Sequence, residues 1–158
     1  MIEEKKFYLT RQGLKKIKKE YEDLKQIKLS KIKGEAPVIL HSEDVNPEYL
    51  ALQEDLSLLD IKLSEIEVIL KNASLIKAPA KNEPSLVKLG ATILVDINGK
   101  NNRFTIVGTL EADPDRGMIS NESPVGKILI GKKVGDQVAT DHPTKTIYKI
   151  KKIAYNLS

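Results

Sequence analysis

Several residue types that would point to particular chemistry are missing or scarce in this chain. It has no cysteine and no tryptophan, and its aromatic residues are five tyrosines and two phenylalanines. Without cysteine, disulfides and thiolate metal sites are excluded, and a reducing compartment is expected. No run approaches the ~20 apolar residues of a membrane span, and the first six residues lack the apolar core of a signal peptide. We therefore expect a cytoplasmic protein with no membrane partner.

The formal net charge of +4 conceals a strong partition along the chain. Residues 1–33 hold 11 basic and 5 acidic side chains. Residues 34–70 hold 1 basic and 9 acidic side chains, and residues 71–158 hold 14 basic and 8 acidic ones. Opposite charge in the first two segments favours pairing between two helices. The basic segment could instead follow a phosphate backbone. Its candidates for nucleic-acid contact, beside their ordinary role on a solvated face, are Lys15, Lys18, Lys19 and Lys25.

Two apolar stripes at helical spacing predict an antiparallel coiled-coil hairpin. Thr10 can cap the first helix, and Asn46 with Pro47 marks the start of the second. Past Leu24 the heptad positions of the first helix hold Lys28 and Lys31, and Gly34 and Pro37 then interrupt the helix, which predicts a loose or irregular distal end. The first stripe consists of Leu14, Ile17, Tyr21 and Leu24. The second consists of Tyr49, Leu52, Leu56, Leu59, Leu63, Ile66 and Leu70.

The remainder of the chain predicts strands. Residues 77–86 contain two prolines and no periodicity, which is typical of a linker. Strands are predicted at 91–97, 103–107 and 146–153, with a hairpin turn at Asn98-Gly99 and a short helix after Ser123. The fold class is therefore α+β: a coiled-coil hairpin over 1–76, a linker over 77–86, and a mostly antiparallel sheet with a short helix over 87–158.

Motifs spread over nearly the whole chain resemble the Gre family of bacterial transcript cleavage factors. The most specific one runs from Ile119 through Ser123-Pro124 to Gly126 and continues from Leu129 to Asp136. The others are Tyr8-Leu9-Thr10 with Gly13-Leu14, Asn46-Pro47-Glu48-Tyr49, Asn72-Ala73, Leu89-Gly90-Ala91-Thr92 and Ile106-Val107-Gly108.

The resemblance implies a transcription elongation factor that is not itself an enzyme. Its C-terminal domain would have the FKBP-like fold and dock at the rim of the secondary channel of RNA polymerase, as a monomer. The hairpin would enter the channel, and acids at its tip would help to hold a magnesium ion shared with the polymerase, which cleaves the 3′ end of the nascent RNA in backtracked complexes. No cofactor of its own is implied. The implied polymerase-binding residues are Ser120, Asn121, Ser123, Pro124 and Gly126.

The tip departs from the family pattern of glycine-aspartate-x-x-glutamate-asparagine-x-glutamate-tyrosine. Ungapped alignment places Ser42 at the aspartate and Val45 at the first glutamate, whereas Glu43 and Asp44 lie between these positions. Glu43 and Asp44 could replace the missing magnesium ligands, or enter the channel without stimulating cleavage, or only complement the dipole of the second helix. The second alternative describes a channel-binding regulator or inhibitor.

Two other classes of function are considered. A prolyl isomerase is disfavoured, because the C-terminal segment offers only Phe104, Tyr148 and Tyr155 for an aromatic proline pocket. A coiled-coil module that grips RNA or a client protein remains open. Retention on purified polymerase, lost when Ser123 and Pro124 are altered, would separate that class from a polymerase-binding factor.

Overall fold

The computed structural model describes residues 5–34, 47–81, 85–141 and 144–156. The chain forms two compact units. The helical unit comprises Leu14–Asn72; the sheet unit comprises the residues before Leu14 together with those from Ala73 onwards. These limits differ from the predicted division at residue 76, because strand β1 (Phe7–Leu9) pairs in parallel with β2 (Ala73–Leu75) inside the sheet unit.

The helical unit is an antiparallel pair of helices, α1 (Arg11–Lys33) and α2 (Pro47–Lys71). Three cross-helix contacts establish the direction: early residues of α1 meet late residues of α2. The Tyr21 hydroxyl donates to Glu67 at 2.7 Å, Lys28 Nζ lies 2.5 Å from Asp60, and Lys31 Nζ lies 3.1 Å from Asp55. The hydrogen bond to Glu67 raises the pKa of Tyr21 above its ordinary value, because ionisation would place two negative charges side by side.

The predicted seam is confirmed residue by residue. On α2 all seven predicted positions are buried or half-buried, with Leu63 and Ile66 the most enclosed. On α1 the half-buried positions include Lys28 and Lys31, whose stems continue the stripe while their charges reach the partner helix. Helix α1 ends at Lys33, as predicted, and Pro37, on which the expectation of an irregular distal end also rests, lies outside the described residues.

The sheet unit contains five strands in the order β5-β4-β3-β7-β6. Their ranges are β3 Ala91–Ile97, β4 Lys100–Val107, β5 Met118–Ser120, β6 Gln137–Thr140 and β7 Thr146–Tyr155. All neighbours pair antiparallel except β4 and β5, which are parallel. The sheet is thus mixed, which refines the predicted antiparallel sheet while the α+β class is confirmed. The short helix α3 (Pro124–Leu129) lies between β5 and β6 in the chain.

One face of the sheet carries the hydrophobic core. Alternate residues of β3, namely Ala91, Ile93 and Val95, are fully buried and form one cluster with Leu129 of α3 and Ile150 of β7. The β3–β4 hairpin closes through Asn98 and Gly99, which both have positive φ. That backbone is the type I′ geometry which the sequence predicts for Asn-Gly.

Over the described ranges, none of the helices combines the length and the apolar character that crossing a bilayer requires.

Candidate functional site

The predicted tip residues Glu43 and Asp44 lie outside the described residues, so their role stays a prediction. Within the part of the chain that the structure describes, no group of three or more His, Asp or Glu side chains is arranged to hold a metal ion. The predicted docking residues, by contrast, are all described.

The docking segment, defined as Ser120–Gly126, joins β5 to α3 and is built around a helix cap. Ser123 is the N-cap residue of α3: its Oγ accepts a hydrogen bond from Gly126 N at 3.0 Å, and Pro124 follows at the first helical position. The same hydroxyl donates to the carbonyl oxygen of Ser120 at 2.7 Å. One side chain therefore fixes both the start of the helix and the end of the strand. The cap predicted at Ser123 is confirmed.

A second network fixes the preceding turn. The Ser120 hydroxyl, which is almost fully buried, accepts a hydrogen bond from Glu122 N at 3.1 Å and pairs with Thr109 Oγ1 at 3.0 Å. Thr109 also donates to the Glu122 carboxylate at 2.7 Å. Asn121 N donates to the carbonyl of Val107 at 2.9 Å, which ties the turn to β4. Thr109 and Glu122 are thus part of the segment's support.

The five predicted docking residues divide into two groups by exposure. Ser120 and Gly126 are buried, and a Cβ on Gly126 would overlap the carbonyl oxygen of Ser120. These two residues shape the segment from within. Asn121 and Ser123 are half-buried, and Pro124 is exposed. Only the latter three can offer side-chain surface to a partner.

Apolar surface adjoins the docking segment. Tyr8 is 37% exposed and Leu110 is 46% exposed. Both line a small cleft of about 70 Å³ whose other walls include Asn121 and Glu122. Gly108 makes this approach possible, since a Cβ there would overlap the carbonyl oxygen of Tyr8. Strand β1 thereby borders the docking segment, a neighbour that sequence spacing did not predict.

The Tyr8-Leu9-Thr10 and Gly13-Leu14 motif at the start of the chain has a structural explanation within the sheet unit. Thr10 donates from its backbone N to Glu111 Oε2 at 2.7 Å and from its hydroxyl to Oε1 at 2.6 Å. Gly13 N in turn donates to Thr10 Oγ1 at 3.0 Å, which is the predicted cap of α1. A Cβ on Gly13 would overlap the Glu111 carboxylate. Thr10, Gly13 and Glu111 therefore form one hydrogen-bonded cluster at the beginning of α1.

Sequence reasoning missed Thr109, Glu111 and Glu122. Glu122 lies inside the quoted Ile119–Gly126 motif, so its position was visible although its partner was not. Thr109 and Glu111 form a 3-10 turn directly after the Ile106-Val107-Gly108 motif. Polar residues beside a glycine that allows close backbone approach are the signal that could have identified them.

Comparison with known proteins defines the class first. A family model described as "Transcription elongation factor, N-terminal" matches residues 7–75, and one described as "Transcription elongation factor, GreA/GreB, C-term" matches residues 82–155. Together the two matches span the helical unit and the sheet unit of this chain, so its class is that of a transcription elongation factor. The chain belongs to the GreA/GreB family.

Individual relatives agree with this family assignment. Transcription elongation factor GreA of Clostridium acetobutylicum is 40% identical over 148 residues, covering 90% of this chain and 92% of that protein. GreA of Thermomicrobium roseum is 36% identical over 141 residues, covering 88% of this chain and 90% of that protein. Among solved structures, the GreA factor homolog 1 (Gfh1) protein of Thermus thermophilus is 22% identical with a TM-score of 0.42, covering 95% of this chain and 99% of that one.

Proposed function

We propose that this elongation factor binds bacterial RNA polymerase at the rim of the secondary channel and promotes cleavage of the 3′ RNA in backtracked complexes. The observation that carries the proposal is the docking segment, whose cap and turn are fixed before any partner binds. Asn121 and Pro124 then present surface from a backbone held by Ser120 and Ser123. A segment ordered in advance loses little conformational entropy on docking, which favours affinity.

The helical unit suits entry into a narrow channel. Helix α2 has 25 residues and is therefore about 37 Å long. Its partner α1 is held along that length by the seam and by lysine–aspartate pairs at Asp60 and Asp55. The proposed role of this unit is to carry the segment between the helices towards the polymerase active site.

The tip carboxylates are the proposed contribution to the chemistry. Glu43 and Asp44 supply oxygen ligands, which Mg²⁺ prefers, and would help to hold the ion shared with the polymerase. When bound, that ion stabilises the developing charge of phosphodiester hydrolysis. The catalyst in this proposal is the polymerase, and the factor works where transcription takes place, in the cytoplasm, on the nascent RNA.

A cleavage assay on stalled, backtracked complexes tests the tip. Wild-type protein should increase cleavage above polymerase alone, and Glu43→Ala with Asp44→Ala should remove the increase. Glu54→Ala with Glu65→Ala is the matched control, since it removes two exposed acids from α2 and should keep the activity. Wild-type protein that adds no cleavage would contradict the tip role.

A second candidate function uses the same docking segment but differs in the role of the tip. Ser42 and Val45 stand where the family pattern has carboxylates, which favours a channel-binding regulator that slows synthesis without cleavage. Binding and cleavage must therefore be measured separately. For binding, the readout is retention of the full chain on purified polymerase by wild type and by Asn121→Ala with Pro124→Ala. Retention with slower elongation and unchanged cleavage would select the regulator; no retention would reject both candidates.

A further inference from the structure

The sheet has a second face that the hydrophobic core does not use, and its exposed part is strongly basic. Arg103 on β4 and Lys152 on β7 lie directly opposite the same β3 residue, Leu94, one on each side. Neighbouring strands are ~4.8 Å apart, so the two cationic residues start from backbones about 10 Å apart. Both side chains are exposed.

The next row across the sheet adds further cations. Lys149 on β7 lies opposite Asp96 on β3, and Lys151, at the β-bulge, places its Nζ 3.6 Å from the same aspartate. Residues paired directly across neighbouring strands share a face, and Leu94 and Asp96 alternate with the core residues Ile93 and Val95. Their partners Arg103, Lys149 and Lys152 therefore project on the side away from the core, because the β-bulge between positions 149 and 152 restores the facing of Lys152. We call Arg103, Lys149, Lys151, Lys152 and Asp96 the open sheet face.

The charge balance of the open sheet face is four cations to one acid. Asp96 is only partly available to them, because its Oδ1 also accepts a hydrogen bond from Gly99 N at 2.8 Å. Among the described residues, Lys151 forms an ion pair with Asp96, with its nitrogen within 4.0 Å of a carboxylate oxygen. Arg103, Lys149 and Lys152 form no ion pair with another described residue. Within the described ranges, these three cations therefore have no anionic partner, and an external anion could pair with them.

We propose that the open sheet face binds the phosphate backbone of a nucleic acid without reading its sequence. Lysine is depleted from protein–protein interfaces, whereas protein–nucleic acid interfaces are rich in positive charge. The three aromatic residues of these strands, Phe104, Tyr148 and Tyr155, pack against the core on the opposite side, so their rings are not available to stack on bases. The contacts would therefore be to phosphates, weak, and sensitive to salt.

This inference goes beyond the proposed function, because it needs neither the docking segment nor the tip. The test is fluorescence anisotropy with a labelled oligodeoxythymidylate of about 20 nucleotides and with a duplex of the same length. The full chain carrying Arg103→Gln, Lys149→Gln and Lys152→Gln should bind at least about tenfold more weakly at low salt. For the single strand, the slope of log K against log salt should become shallower by about 2, since three phosphate contacts are lost and each contributes about 0.7.

Three further variants separate phosphate binding from general effects of charge and folding. Lys127→Gln, Lys132→Gln and Lys133→Gln remove the same charge from exposed positions elsewhere in the sheet unit and should leave most of the affinity. Arg103→Lys, Lys149→Arg and Lys152→Arg keep the charge and should keep the salt slope. Asp96→Asn retains an acceptor for Gly99 N and should raise affinity about twofold.

Three results would overturn the proposal. One is an unchanged affinity and salt slope in the first triple variant. The second is an equal loss in the Lys127, Lys132 and Lys133 variant, which would show that only net charge matters. The third is tighter binding of a labelled polyglutamate than of either oligonucleotide, which would assign the open sheet face to an acidic protein surface.

Discussion

The two units of this protein are stabilised in different ways. Of the twelve hydrophobic residues that are buried in the described parts of the chain, ten lie in the sheet unit and only Leu63 and Ile66 lie in the helical unit. The helices are instead joined by a half-buried seam and by polar pairs at the surface. Exposed pairs of this type contribute ~0–1 kcal/mol each. Stability is therefore expected to be unevenly distributed along the chain.

Among the residues that the structure describes, exposed large hydrophobic residues outnumber buried ones in the helical unit but not in the sheet unit. Two helices share a single face, so apolar residues at other positions have nothing to cover them. Among the described residues of the helical unit, seven large hydrophobic residues are exposed: Ile27, Leu29, Ile32, Leu50, Leu58, Ile61 and Val68. Leu58 at 61% is the most exposed. The hairpin thus obtains less stabilisation per apolar residue than the sheet unit does.

The largest effect should come from the core of the sheet unit. Ile93→Ala removes a fully buried side chain from the centre of β3. The expected loss in free energy of unfolding is about 4 kcal/mol, since burial is lost and a cavity remains. Hydrogen exchange resolved by segment should show faster exchange in β3, β4 and β7. A loss below about 1 kcal/mol would contradict the view that the sheet unit depends on this core.

A smaller loss, about 2–3 kcal/mol, is expected from Gly126→Ala. The added methyl group would overlap the Ser120 carbonyl oxygen, so the docking segment must shift. Retention on polymerase should therefore fall by more than the loss of stability alone explains. Gly34→Ala is the matched control, since its Cβ meets only carbonyl oxygens of the preceding helical turn. Equal retention of both variants would show that the segment's conformation is unimportant for docking.

Periodic elements could be predicted from the sequence, and short ones could not. The α2 seam and β3 carry long repeats, so their buried residues follow from spacing alone. Strands β1 and β2 have three residues each, too few for a period, and their pairing joins positions 66 residues apart, such as Phe7 and Ala73. That pairing moved the unit boundary from the predicted position.

The candidate site shows the same limit. The Ser123 cap follows from Ser-Pro before a short apolar run, a local signal. The Thr109–Glu122 hydrogen bond depends on β4 and β5 lying side by side, which requires the tertiary fold. The sequence predicted the cap of this segment and left open which of its residues face outwards.

The helical unit should respond less to a core substitution than the sheet unit. Leu63→Ala is expected to cost about 2 kcal/mol, the low end for such a change, because Leu63 is 8% exposed in a narrow seam where neighbours can move. Far-UV circular dichroism during denaturation reports this unit, since α1 and α2 contain 23 and 25 helical residues against six in α3. A cost matching that of Ile93→Ala would remove the contrast between the units.

The smallest effect concerns the hydrogen bond from Tyr21 to Glu67, one of the polar contacts that support the helical unit. The folded-state pKa of Tyr21 is raised above the ordinary value of 10.0, mainly by this bond. The contribution is therefore complete below pH 10.0 and is lost as the pH rises through the folded-state pKa. Wild-type protein should be slightly more stable than Tyr21→Phe at neutral pH, and this difference should vanish in alkali. Denaturation midpoints of both proteins across this range measure it. A difference that persisted after Tyr21 ionised would mean that packing of the ring, and not the hydroxyl–carboxylate bond, joins α1 to α2 at this point.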